Sequence, residues 1–106
     1  MVKRMSKPVA EPATASRPVP RPFAMPWGAG QIVEEAAKPT PWHEPTIQLL
    51  RYDDGAEALR FCYYHGPRFG RGPMMVNKEA IDRFAEALRE TPRIRALLRC
   101  MLGEQP

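Results

Sequence analysis

Nine of the thirteen prolines in this 106-residue chain fall before Thr46. Proline has no backbone donor, and it disfavours helix in the residue that precedes it. Pro8, Pro12, Pro18, Pro20, Pro22, Pro26, Pro39, Pro41 and Pro45 therefore exclude a continuous helix from the first 45 residues. That stretch is also rich in alanine and shows no sustained hydrophobic period. Residues 1–45 are expected to be a disordered, partly polyproline-like tail, and residues 46–106 a single folded domain. Roughly 60 residues make a marginal core. Neither a disulfide framework nor an evident metal site reinforces it, so oligomerisation is the expected support, most simply a two-fold homodimer.

Net charge is +4, with a pI near 9.4. So mild an excess permits an anionic partner without demanding one. Beyond Thr46 every basic residue except Lys78 is an arginine, the type suited to bidentate phosphate contacts and to stacking. The two cysteines, Cys62 and Cys100, are expected to be free thiols in a reducing compartment. The basic N-terminus lacks the apolar stretch of a secretory signal, and no segment reaches the apolar length of a membrane span. A cytoplasmic protein is expected.

Two tryptophans interrupt the proline-rich stretch, in Pro26-Trp27-Gly28 and Pro41-Trp42-His43. Each could pack back on the domain or act as a peptide motif that docks on a protein partner. Gln31 to Ala37 could form a helical turn or two, too short to stand alone. Gly28-Ala29-Gly30 is not a phosphate loop, because it follows Pro-Trp and lacks the third glycine.

From Thr46 the texture changes. Thr46–Tyr52 and Ala58–Tyr64 are β-rich runs separated by Asp53-Asp54-Gly55, a strong hairpin signal. A two-residue loop would pair Leu50 with Leu59. A five-residue loop would pair Tyr52 with Ala58 and gather Ile47, Leu49, Leu59, Phe61 and Tyr63 on one apolar face. The longer loop is expected for that reason. It leaves Gln48, Leu50, Tyr52, Arg60, Cys62 and Tyr64 on the other face. Met74–Val76 reads as a short third strand.

Asn77 can cap a helix over Lys78–Glu90, where Ile81, Phe84, Ala85 and Leu88 recur at helical spacing. Thr91 and Pro92 open a second helix as N-cap and first residue. Its stripe is Ile94, Leu97, Leu98, Met101 and Leu102, and Gly103 ends it. The expected fold is α+β: a small antiparallel sheet of three to four strands, then two C-terminal helices, in the order β-β-β-α-α. One helix suffices to cover a thin sheet, so the second stripe is free to serve as a dimer surface.

Enzymatic chemistry finds no support. No Ser-His-Asp or Cys-His-Asp set is present, and His43 and His65 are the only histidines. Cys62 and His65 are three apart, which places them on opposite faces of a strand. A zinc site would need Cys100 and His43 as well, so neither metal nor cofactor is expected. Binding chemistry is better represented. Arg68-Phe69-Gly70-Arg71-Gly72 places two guanidinium groups around a ring, with glycines that let a phosphate approach the main chain. Arginine positions phosphates, and an exposed ring stacks on an unpaired base. A flexible connector of soluble residues explains the same loop equally well.

The stretch Phe69-Gly70-Arg71-Gly72-Pro73-Met74-Met75-Val76-Asn77-Lys78-Glu79 resembles the positive cofactor four (PC-four) family of transcriptional coactivators and its bacterial single-stranded-DNA-binding relatives. Gly70 and Arg71 fit the family's basic turn, Met74 and Val76 its apolar strand, and Asn77 and Glu79 its helix start. The resemblance implies a curved antiparallel sheet, dimerisation through the C-terminal helices, and binding of single-stranded or melted DNA across the sheets. Gly72 and Pro73 depart from the pattern, and a fourth strand would have to come from the tail, around Gln31 to Val33.

The expectation is thus a homodimer that binds single-stranded nucleic acid, DNA before RNA, in transcription or DNA maintenance. Arg60, Arg68 and Arg71 are the expected phosphate contacts, and Tyr52, Tyr64 and Phe69 the stacking platforms. The alternative is a protein-interaction adaptor that uses the hairpin, the helices and the tryptophan motifs.

Overall fold

A computed structural model describes residues 17–105. Six strands come first: β1 (Arg21–Met25), β2 (Gly28–Ala37), β3 (Glu44–Tyr52), β4 (Glu57–His65), β5 (Arg68–Phe69) and β6 (Met74–Asn77). A 3-10 turn over Lys78–Ala80 leads into α1 (Ile81–Leu88), and α2 (Pro92–Met101) follows. The α+β class and the two C-terminal helices are as expected. The chain divides into two compact units at the boundary between Val76 and Asn77.

The first unit is a curled antiparallel sheet in the order β1-β2-β3-β4-β5, with β6 also pairing with β4. Residues 17–45 are therefore not a disordered tail: they supply two of the strands and an ordered segment ahead of them. Residues 1–16, the rest of that expected tail, lie outside the described residues. The prolines fit the strands because of where they stand. Pro22 lies on the edge strand, Pro26 in the β1–β2 turn, and Pro45 one residue into β3. Edges, turns and strand starts are the places where a missing N–H is tolerated. Gln31 to Val33 lie within β2, so those residues are strand rather than helical turn, and the sheet has six strands instead of three to four.

The β3–β4 hairpin closes on three residues, not five or two. Tyr52 N–H donates to the Ala56 carbonyl at 2.8 Å, and Leu50 stands opposite Ala58. Gly55, at φ +92°, supplies the left-handed residue that a three-residue loop requires. The pairing differs from the expected one by two positions, so each side chain keeps its expected face. What changes is which face is inside. Glu44, Thr46, Gln48, Leu50, Ala58, Arg60 and Tyr64 are buried, whereas Ile47, Leu49, Leu59, Phe61 and Tyr63 are only half-buried.

The interior has an apolar end and a polar end. Phe23, Ile32 and Leu50 form the apolar end, with Met25, Tyr52 and Met75 packed against them. At the polar end Glu35 accepts from Arg21 Nη2 at 2.7 Å, Gln48 Nε2 at 2.7 Å and Arg17 Nε at 3.3 Å. Arg17 also grips Glu44 with two bonds, at 3.1 and 2.9 Å, and its guanidinium lies 4.0 Å from the centre of the Tyr64 ring. No buried side-chain polar atom among the described residues lacks a partner. Such a network is stable only when complete, since a buried charge left alone costs several kcal/mol.

The second unit holds the helices. Asn77 occupies the cap position, but its side chain makes no capping bond, and the first helical turn is 3-10. Thr91 and Pro92 do open α2, but the Thr91 hydroxyl donates back to the Leu88 carbonyl at 3.3 Å instead of capping α2. No residue of either helix is buried.

Glu35 is the testable centre of the sheet. Burial raises its pKa, but hydrogen bonds from Arg21 and Gln48 and the charges of Arg21 and Arg17 outweigh that and hold it below the ordinary value near 4.5. A carboxylate with a depressed folded pKa stabilises above its unfolded pKa, and that contribution disappears as pH falls through the folded value. Glu35→Ala is expected to cost about 3–5 kcal/mol in urea unfolding at pH 7. Glu35→Gln is expected to flatten the loss of stability below about pH 4.5, measured as the urea midpoint against pH.

Candidate nucleic-acid interface

The six side chains expected at the site divide between the two sides of the sheet. Arg60 and Tyr64 are 6% and 7% exposed and belong to the interior. Arg60 Nε donates to Gln48 at 2.7 Å, and the Tyr64 hydroxyl accepts from Gln48 at 3.1 Å and from Arg21 at 3.2 Å. Tyr52 is half-buried and meets Phe23 edge to face at 5.3 Å. Arg60 and Tyr64 are thus held in the interior, and their assignment as phosphate contact and stacking platform is corrected for that reason. Tyr52 packs on the apolar core, apart from the 68–71 loop in sequence and pairing.

Phe69 stands at the rim of the interior. It is 41% exposed, packs edge to face with Tyr64 at 5.4 Å, and carries the Arg60 guanidinium 4.7 Å from its ring centre. Arg68 and Arg71 are exposed, and among the described residues neither has an acidic partner within ion-pair distance. The loop that carries them is more ordered than a free finger. Its β5 segment pairs with the end of β4, Tyr64 opposite Phe69 and His65 opposite Arg68.

That pairing places Arg68 beside a group of rings that the sequence did not single out. On the outer side of the sheet, Tyr63 meets His43 edge to face at 5.5 Å and His65 at 5.3 Å, and the two imidazoles are 6.3 Å apart. His43 and His65 are exposed, Tyr63 is half-buried, and Trp42, next in sequence to His43, is 46% exposed. Trp27, in the β1–β2 turn, is 65% exposed, so neither tryptophan is buried in the domain. The signal for this group was present in the odd-numbered alternation of Phe61, Tyr63 and His65. What hid it was the assumption that the odd face was the core.

Gly70 fixes the position of Tyr63. Its N–H donates to the Tyr63 carbonyl at 2.8 Å, and a Cβ at this position would overlap the Tyr63 ring. The ring thus lies against the Gly70 main chain, nearly perpendicular to both imidazoles.

Cys62 is on the inner side, away from His65, as strand alternation requires. Its burial raises the thiol pKa, and Glu35 adds to that, against the opposing charges of Arg60 and Arg17. No group of three or more His, Cys, Asp or Glu residues is placed to hold a metal among the described residues. No helix among them is long and apolar enough to cross a membrane. No family model, no curated protein and no solved structure matches the chain.

Two measurements check this geometry. Gly70→Ala is expected to destabilise the protein by about 1–3 kcal/mol through overpacking against Tyr63, read from denaturant midpoints. An aromatic thiol reagent is expected to modify the exposed Cys100 at least about tenfold faster than Cys62, because only the thiolate is the nucleophile. Equal rates would show that the inner side of the sheet is open.

Proposed function

We propose that this chain is a binding protein, not an enzyme, and that it holds single-stranded nucleic acid on the outer end of β4 and β5. The observation that carries the reading is the outward-facing His43–Tyr63–His65 ring group, its imidazoles exposed and its tyrosine half-buried, with Arg68 directly across from His65. Tyrosine and histidine rings are sequence-tolerant stacking platforms for unpaired bases. Arg68 and Arg71 supply unpaired guanidinium groups for the phosphates beside them. Duplex bases offer no free faces, which favours a single strand. The proposed site keeps Arg68 and Arg71 from the sequence expectation, leaves Phe69 as a rim contact, and replaces Arg60, Tyr52 and Tyr64 with Tyr63, His43 and His65. A role in transcription or DNA maintenance rests on the family resemblance alone. A cytoplasmic, reducing location fits two free thiols.

A protein-adaptor reading has its own support: Trp27 is 65% exposed and both helices present apolar stripes. Salt separates the two. Oligo-dT binding to the full chain is expected at low salt, with log affinity falling against log salt at about −0.7 per phosphate neutralised. Arg68→Ala/Arg71→Ala is expected to flatten that slope by about 1.4. Tyr63→Ala is expected to cost about 1–3 kcal/mol of binding with the slope unchanged. Absence of binding at low salt rejects the nucleic-acid reading and leaves the adaptor. Undiminished binding by the double arginine variant rejects the site.

A further inference from the structure

The outer side of the sheet has a second feature. An open groove of about 410 Å³ is lined by Val19, Ala36, Ile47, Leu49 and Leu59, with Glu34 at its margin. Among the described residues the only other charged one lining it is Glu35, whose carboxylate is engaged in the interior by Arg17 and Arg21. Glu34 is exposed and has no ion-pair partner among the described residues. The groove therefore offers apolar surface and one free negative charge.

The helices offer the complement. Along α2, Ile94 is 53% exposed, Leu97 71%, Met101 61% and the following Leu102 73%. An apolar stripe as open as this is the kind of surface that proteins use for interaction. From Pro92 to Met101 the helix contains Arg93, Arg95 and Arg99 and no acidic residue. Helix α1 also has exposed Ile81 and Phe84, but its charged residues are Asp82, Arg83 and Glu86, a net negative set opposite Glu34, against three arginines and no acid in α2. Apolar area selects both helices, and charge selects α2.

We infer that α2 of a second copy of this chain docks in the outer groove, so that the protein is a reciprocal dimer. A ten-residue helix is about 15 Å long. From Leu59 in the groove to Tyr63 in the ring group is four residues of one strand, about 13 Å. A docked α2 thus reaches from the groove to the proposed nucleic-acid site and places its arginines on the same side of the sheet as Arg68. The partner copy extends the phosphate track, a consequence that rests on the function proposed above, whereas the docking itself does not. A two-fold arrangement repeats the contact, which makes the interface self-complementary.

The test is light scattering of the full chain after gel filtration, at about 50 µM. The expected result is a dimer that Leu97→Glu on the helix and Leu49→Glu in the groove each convert to monomer. Because Leu49→Glu can also disturb the sheet, Glu34→Arg serves as the second groove variant: it lies at the exposed margin and is expected to weaken dimerisation at least tenfold. Arg95→Glu combined with Glu34→Arg is expected to recover part of that loss. A monomeric wild-type chain overturns the proposal, as does a dimer that Glu34→Arg leaves unchanged, which would assign the interface to helix against helix. Oligo-dT titration of monomeric Glu34→Arg then isolates the second claim. Binding that keeps its dependence on Arg68 and Arg71 but has a shallower salt slope than the wild type supports the contribution of α2. An unchanged slope overturns that contribution and leaves the nucleic-acid reading standing.

Discussion

Glu35 accepts hydrogen bonds from Arg17, Arg21 and Gln48, which come from the segment ahead of β1, from β1 itself and from β3. The rest of the sheet depends on that convergence. Gln48 passes the connection to Arg60 on one side and Tyr64 on the other. Arg17 carries it to Glu44 and covers the Tyr64 ring. Four strands are thereby tied through side chains across an interior whose apolar part is little more than Phe23, Ile32 and Leu50. Three guanidinium groups against two carboxylates is a costly content for a protein interior. It is tolerated because every charge there has geometric partners and the rings of Tyr64, Phe23 and Phe69 take the guanidinium faces.

The consequence for function follows from the period of a strand. Once the even-numbered side chains of β3 and β4 are committed inward, the odd-numbered ones must face out. Ile47, Leu49, Leu59, Phe61 and Tyr63, with His65, then make a continuous outer strip that is apolar at one end and aromatic at the other. The two proposals use the two ends of this strip: bases and phosphates at the ring end, a helix of a second copy at the apolar end.

Much of the fold was legible because it depends on local rules. The helical stripes, the Thr91-Pro92 start of α2, the stop at Gly103 and the existence of a β3–β4 hairpin all follow from spacing and backbone preference. The hairpin's loop length was not legible, since Asp53-Asp54-Gly55 satisfies several turn geometries and only the neighbouring strands select one. The N-terminal strands were missed for a related reason. Proline content rules out helix, but it is silent about edge strands and hairpin turns, which is where Pro22 and Pro26 stand. The misplacement of the site came from the same source. Gln48 is buried against Glu35, which Arg17 and Arg21 hold in turn, and Arg60 is buried against Gln48, so their burial depends on residues from the N-terminal segment.

The sequence by itself determined the kinds of elements, their order from Thr46 onward except for the short β5, which reads as loop, and the presence of arginine and aromatic side chains near residues 68–71. Only the tertiary structure decided which side of the sheet is interior, and hence that Arg60 and Tyr64 are buried while Tyr63 faces outward, half-buried, between the exposed His43 and His65. The physical reason is that alternation along a strand defines two faces but carries no label for the inner one. That label comes from the partners each face finds. Here the partners of the polar face lie 12 to 43 residues away, from Arg60 meeting Gln48 to Arg21 meeting Tyr64.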